Sequence, residues 1–122
     1  AEALRSGNSP VIYGDGTQTR DFIPVENVVH ACLLAAATQE PLGGRVLNIG
    51  TGQSHDLLST LATMQKILKT TAQPRFEPPR LGDIQHSLAD ITAAQTSFAY
   101  EPLVSVEEGL SRLLTGRAGL RA

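Results

Sequence analysis

Two arginines sit in short segments built like turns. Arg20 follows Gly14-Asp15-Gly16-Thr17-Gln18-Thr19, which itself follows the apolar triplet Val11-Ile12-Tyr13. Arg80 opens Arg80-Leu81-Gly82-Asp83, directly after Pro78-Pro79. A guanidinium is a planar fork of N–H donors that fits the oxygens of a diphosphate better than a lysine ammonium does. Two forks beside two turns are suited to close on one diphosphate from opposite sides. The competing reading is a pair of solvated surface charges, and spacing alone leaves both open. Asp21 is placed to orient Arg20, while Asp15 is most simply a turn residue.

The other candidates for chemistry are weaker. Gly50-Thr51-Gly52 stands between an expected strand and an expected helix, where a dinucleotide fingerprint belongs. His55 occupies the place of its third glycine, and no acid closes a following strand, so the fingerprint fails. His30, His55 and His86 are too scattered for a metal site, and Asp56 beside His55 is better explained as a helix cap. No serine stands in a Gly-x-Ser-x-Gly elbow. Cys32 reads as packing on a helix face rather than as a nucleophile. The inventory suits binding an anion better than making or breaking bonds.

These residues need elements to position them. Residues 1–6 read as the end of a helix, stopped by Gly7-Asn8. Val11-Ile12-Tyr13 and Val46-Leu47-Asn48-Ile49 read as strands, Phe22-Ile23 as a short extended piece, and Arg75-Phe76-Glu77 as the strand of a proline-rich stretch. Pro24 suits the first turn of a helix because it lacks an N–H. From there Val25, Val28, Val29, Cys32, Leu33 and Ala36 recur at helical spacing and predict one buried face. Asp56 caps a helix that buries Leu57, Leu61, Met64 and Leu68; Asp90 caps one carrying Ile91, Ala94 and Phe98. Ser105 and Glu108 form a capping box before a helix that buries Val106, Leu110, Leu113 and Leu114, and residues 116–122 are expected to fray. Strands alternate with helices, so the fold class is α/β: a small mixed domain of short strands and about four helices. So small a sheet would be better covered by a neighbouring domain.

Composition bounds the rest. With 122 residues, one domain spanning 1–122 is the default. Aromatics are 4% with no Trp, so the core is expected to be aliphatic. A net charge of −2 without a basic run argues against nucleic acid. A single cysteine rules out an intrachain disulfide and fits a reducing cytoplasm. No stretch approaches a membrane span. The first residue is Ala rather than Met, which suggests a start inside a longer protein.

Val11 to Ile23 resembles a hallmark of the NAD-dependent sugar-nucleotide epimerase/dehydratase family, the extended short-chain dehydrogenases/reductases that include the UDP-hexose 4-epimerases. Further matches follow in the family's order: the helix from Val25 to Ala37, Val46 to Gly52, Arg80 to Ile91, Tyr100-Glu101-Pro102, and Glu107 to Leu110. The stretch from His86 to Ile91 is most similar to the bacterial UDP-N-acetylhexosamine 4-epimerases. The resemblance implies that Arg20 and Arg80 bind the diphosphate of a nucleotide sugar and that Asp83 contacts the ribose region. It also implies that Tyr13 lies against the base, usually uracil, with main-chain groups near Val11 reading its edge. A half-buried core tyrosine remains the alternative for Tyr13.

The family's glycine-rich Rossmann half and its Tyr-x-x-x-Lys pair have no counterpart here. The chain therefore resembles the carboxy-terminal, substrate-binding part of an extended Rossmann-type epimerase. No catalytic or cofactor-binding residue is assigned to it. NAD belongs to the full-length family and is not expected to bind this segment alone. Expected partners are a UDP-sugar or other nucleotide sugar, the missing Rossmann half, and a second copy in a homodimer. The alternative is a stand-alone binding or self-assembly module without chemistry. The sequence departs from the family at Pro24, at Asn27, where many relatives carry an acid, and at Ala99, where many carry Gly. If the helix before Tyr100 still ends in a left-handed turn, Ala99 is strained.

Overall fold

The strands pair two by two, and each pair ties distant segments together. A computed structural model describes residues 1–39 and 41–116. Helix α1 (Glu2–Arg5) leads into strand β1 (Val11–Tyr13), and a turn leads on to β2 (Thr19–Arg20). Helix α2 (Val25–Ala37) follows, then β3 (His55–Asp56), α3 (Leu57–Leu68), β4 (Arg75–Glu77), α4 (Thr92–Phe98) and α5 (Val106–Thr115). The described residues form a small mixed α/β fold with five helices, the four read as full helices from sequence and the helix end read at residues 1–6.

β1 and β4 run parallel, with Val11 opposite Arg75 and Tyr13 opposite Glu77. A parallel pair needs a long crossover, and here the crossover contains β2, α2, β3 and α3. β2 and β3 run antiparallel, with Arg20 opposite His55. The second extended piece therefore falls on Thr19–Arg20 and not on Phe22-Ile23. The reason is partners: Thr19 N donates to the Gln85 carbonyl at 2.8 Å, and the Thr19 carbonyl accepts from Ser87 N at 3.1 Å.

Two small cores hold the elements. Leu4, Ile12 and Leu61 form one, with Leu57, Met64 and Leu68 packed against it as their spacing on α3 predicts. Ala31, Ala94 and Tyr100 form the other, with Leu34, Ile49, Ile91 and Phe98 around them. Tyr100 is the largest fully buried side chain, so the expectation of a purely aliphatic core fails there. Its hydroxyl donates to the Gly50 carbonyl at 2.8 Å, which lets the ring be buried with its polar end satisfied. Burial first, then the charges of Asp21 and Glu101, push that hydroxyl's pKa up and keep it a donor.

Asn27 joins α2 to the segment before α5. It is fully buried, donates to the Val104 carbonyl at 2.8 Å, and accepts from Leu103 N and Val104 N, each at 2.9 Å. An acid there would keep the two acceptor bonds and lose the donor, so the departure at Asn27 has a structural use in this chain.

The caps follow the sequence closely. The Asp56 carboxylate accepts from Ser59 N at 2.8 Å, and Ser105 Oγ accepts from Glu108 N at 3.2 Å. The Glu108 side chain pairs with Arg112 rather than reaching back to complete the capping box. Asp90 accepts from Thr92 N at 3.0 Å, one residue ahead of where α4's own N-cap, Ile91, stands. Pro24 is the N-cap of α2, extended at ψ 139, and so stands just outside the first turn.

A predicted buried face and a predicted strand are overturned. Val25, Val28, Val29, Cys32, Leu33 and Ala36 are all exposed; α2 packs instead through Asn27, Ala31 and Leu34. Val46–Ile49 forms no strand, and Val46 is 95% exposed. Both segments carry the right pattern, but a stripe is buried and a strand is laddered only by a neighbour. None of the described elements covers the α2 stripe, and none ladders 46–49, where Ile49 still packs on the second core. Leu113 is likewise exposed, at 55%, while Val106 and Leu114 of the same helix are buried. The tail expected to fray lies outside the described residues from 117 onward.

Candidate anion-binding site

The loop after β1 is closed by its own side chains. Asp15 Oδ1 accepts from Thr17 N at 2.9 Å and from Thr17 Oγ1 at 2.7 Å. Those two bonds, the hydroxyl's first, hold the Asp15 carboxyl below the usual carboxylate range. Gln18 is buried and donates through Nε2 to the Tyr13 carbonyl at 2.6 Å, which fastens the start of the loop to its end. β2 then emerges with Arg20 on it.

The second arginine loop lies against the first. Asp83 N donates to the Arg80 carbonyl at 3.1 Å, closing a β-turn in which Gly82 has φ 80. A side chain at that third position would be strained, so the turn requires its glycine. The turn presents Arg80 and Asp83 at its two ends. Beyond it, Gln85 Nε2 donates to Thr17 Oγ1 at 3.1 Å, and Thr19 Oγ1 shares a hydrogen bond with His86 Nδ1 at 3.0 Å. Residues 17–20 and 83–87, distant in sequence, are thus zipped together.

This zipper sets the charged groups. Arg20 Nη2 donates to Asp83 Oδ1 at 2.6 Å, and Arg20 Nη1 donates to the Thr19 carbonyl at 2.8 Å. The Arg80 guanidinium carbon stands 3.9 Å from the centre of the Tyr13 ring, a cation–π contact. A cavity of about 710 Å³ is lined by Tyr13, Gln18, Phe76, Arg80, Asp83 and Gln85, among others. A second of about 360 Å³ is lined by Val11, Leu57 and Leu81 and shares Tyr13, Gln18, Arg80 and Asp83 with the first.

Of the residues singled out in the sequence, Val11, Tyr13, Arg80 and Asp83 therefore share cavity walls. Arg20 lines neither cavity and joins the group through its ion pair with Asp83. Tyr13 is 37% exposed and belongs to neither core. Asp21 does not orient Arg20. Its carboxylate accepts from Thr51 N at 2.9 Å, from Thr51 Oγ1, and from Gly52 N at 3.0 Å. Gly50 lets Asp21 approach: a Cβ there would come within 2.5 Å of Asp21 Oδ2 and 2.6 Å of Ala89 Cβ.

That bonding also bears on a dinucleotide. Backbone N–H groups of a glycine loop bind a pyrophosphate when they are free to donate. In the Gly50-Thr51-Gly52 loop the N–H groups of Thr51 and Gly52 already donate to Asp21, so these residues do not fit NAD at this loop.

Gln18, Phe76 and Gln85 line the cavity and were not singled out from sequence. Their roles rest on tertiary placement: Gln18 stands out only through its burial, since a buried amide must find partners.

Comparison with known proteins gives the family and the fold. Residues 1–50 match the family model described as "NAD dependent epimerase/dehydratase family". The UDP-glucose 4-epimerase of Mycolicibacterium smegmatis is 34% identical over 112 residues, covering 92% of this chain and 35% of that protein. The crystal structure of UDP-glucose 4-epimerase with UDP-glucose from Thermotoga maritima matches with a TM-score of 0.85 at 35% identity, over 93% of this chain and 36% of that one. The chain belongs to the NAD dependent epimerase/dehydratase family. A UDP-glucuronic acid 4-epimerase from Bacillus cereus, in complex with UDP-glucuronic acid and NAD, matches with a TM-score of 0.86 at 28% identity, over 97% of this chain and 38% of that one. The chain spans about a third of the length of these epimerases, and its short strands and five helices form part of a Rossmann-type epimerase fold.

Proposed function

We propose that this chain is the nucleotide-sugar-binding segment of an NAD-dependent sugar-nucleotide epimerase or dehydratase. It holds the diphosphate of a UDP-hexose or UDP-N-acetylhexosamine between Arg20 and Arg80. The observation that carries the reading is the zipper of residues 17–20 with 83–87, which brings Arg20 to Asp83 in the same turn as Arg80, beside Tyr13. The relatives' named ligands, UDP-glucose and UDP-glucuronic acid, are of the class such a pair of forks suits. Asp83 stands near the ribose and Tyr13 near the base. Hydride transfer belongs to NAD in the whole family and is not assigned to these residues, so the segment alone is not catalytic. The remainder of the epimerase fold, the Rossmann half, is its natural neighbour.

Titration calorimetry with UDP tests the site. The chain is expected to bind weakly, and Arg20→Ala and Arg80→Ala are each expected to lower affinity about ten- to a hundredfold, the worth of a charge-assisted hydrogen bond. Unchanged affinity in both variants contradicts the proposal.

A further inference from the structure

The negative charge of Asp21 is held by neutral donors alone. They are Thr51 N, Thr51 Oγ1 and Gly52 N, and Asp21 takes part in none of the ion pairs among the described residues. Two successive backbone N–H groups thus converge on one carboxylate, with Gly52 in the left-handed region at φ 68. Such a concave pair of N–H groups is an anion-binding nest. The loop is also shaped around the anion, since a Cβ at Gly50 would come within 2.5 Å of Asp21 Oδ2. An emptied nest would leave the N–H of Thr51, a residue only 8% exposed, short of an acceptor, and a buried donor without a partner is costly. A cavity of about 340 Å³, lined by Asp21, Asn48, Gly50, Ser87 and Ala89 among others, leads to the spot and has room for a small solute anion.

We propose that the Gly50-Thr51-Gly52 loop is a carboxylate-binding site, filled in this chain by Asp21 as a tethered ligand and open to a free carboxylate when Asp21 is not in it. Recognition is by shape and charge: each carboxylate oxygen takes a backbone N–H, and the Thr51 hydroxyl adds a third donor. The site uses neither Arg20 nor Arg80 and stands independently of the diphosphate reading.

Chemical rescue tests it. Asp21→Ala removes the tethered carboxylate and leaves a space of its size. The variant is expected to melt below the unaltered chain. Sodium formate is expected to raise its Tm saturably, by about 3–5 °C over sodium chloride at the same ionic strength. In NMR spectra the Thr51 and Gly52 amide signals of the variant are expected to move with formate. The unaltered chain, its site already filled, is expected to show neither response. Asp21→Gly with sodium acetate repeats the comparison with a smaller remnant and a larger anion. Where a variant is unfolded in chloride, recovery of its helices in the carboxylate salt, read by circular dichroism, is the same positive result. Carboxylate and chloride salts acting alike on both variants overturn the inference, and so does a rise of equal size in the unaltered chain.

Discussion

Ala99 ends α4 in the left-handed region, at φ 54 and ψ 38. That conformation costs a residue with a Cβ roughly 1–2 kcal/mol. It persists because Ala99 N donates to the Gln95 carbonyl at 2.9 Å and because Tyr100, the next residue, is locked in the core. Ala99→Gly is therefore expected to stabilise the chain by about 1 kcal/mol and raise Tm by roughly 3–5 °C in a thermal melt. A lower Tm would show that the turn is not strained. Single residues were read unevenly from sequence. The strain at Ala99 was legible because a left-handed ending had one cost whatever packed around it. The partner of Arg20 was not. Asp21 is its chain neighbour, yet Asp83 meets it through space, because Asp21 is drawn to the N–H groups of Thr51 and Gly52. Tertiary pairing of carboxylates leaves no local signature.

Among the elements, α3 shows how far local rules reach. Its first turn is fastened by the Asp56 carboxylate, whose pKa is lowered chiefly by the hydrogen bond from Ser59 N. A carboxyl depressed in the folded state stabilises above its unfolded pKa of about 3.9, and that contribution is lost as pH falls through the folded value. Asp56→Ala is expected to cost about 1 kcal/mol near neutral pH in denaturant unfolding, with the difference from the unaltered chain shrinking below about pH 4. A cost independent of pH would rule out a charged cap. The caps at Asp56 and Ser105 and the faces of α3 were visible in sequence because each is decided within a few residues. β2 and the fate of residues 46–49 were not, because strands are decided by partners. Thr19–Arg20 has neighbours on both sides and is laddered; Val46–Ile49, richer in strand-forming residues, is not.

For the whole molecule, the exposed stripe of α2 and the unladdered 46–49 segment belong together. The chain spans about a third of the length of its relatives, and none of its described elements buries that stripe or ladders that segment. The sequence pattern on α2 was correct as a pattern; the error lay in supposing that these residues alone could bury it. The site differs in this respect, because the zipper between the two arginine loops forms within the chain. A crystal structure of the chain with UDP tests that arrangement most directly. The account predicts guanidinium nitrogens of both Arg20 and Arg80 within about 3 Å of oxygens of one diphosphate. A diphosphate held by only one of the two arginines would contradict it.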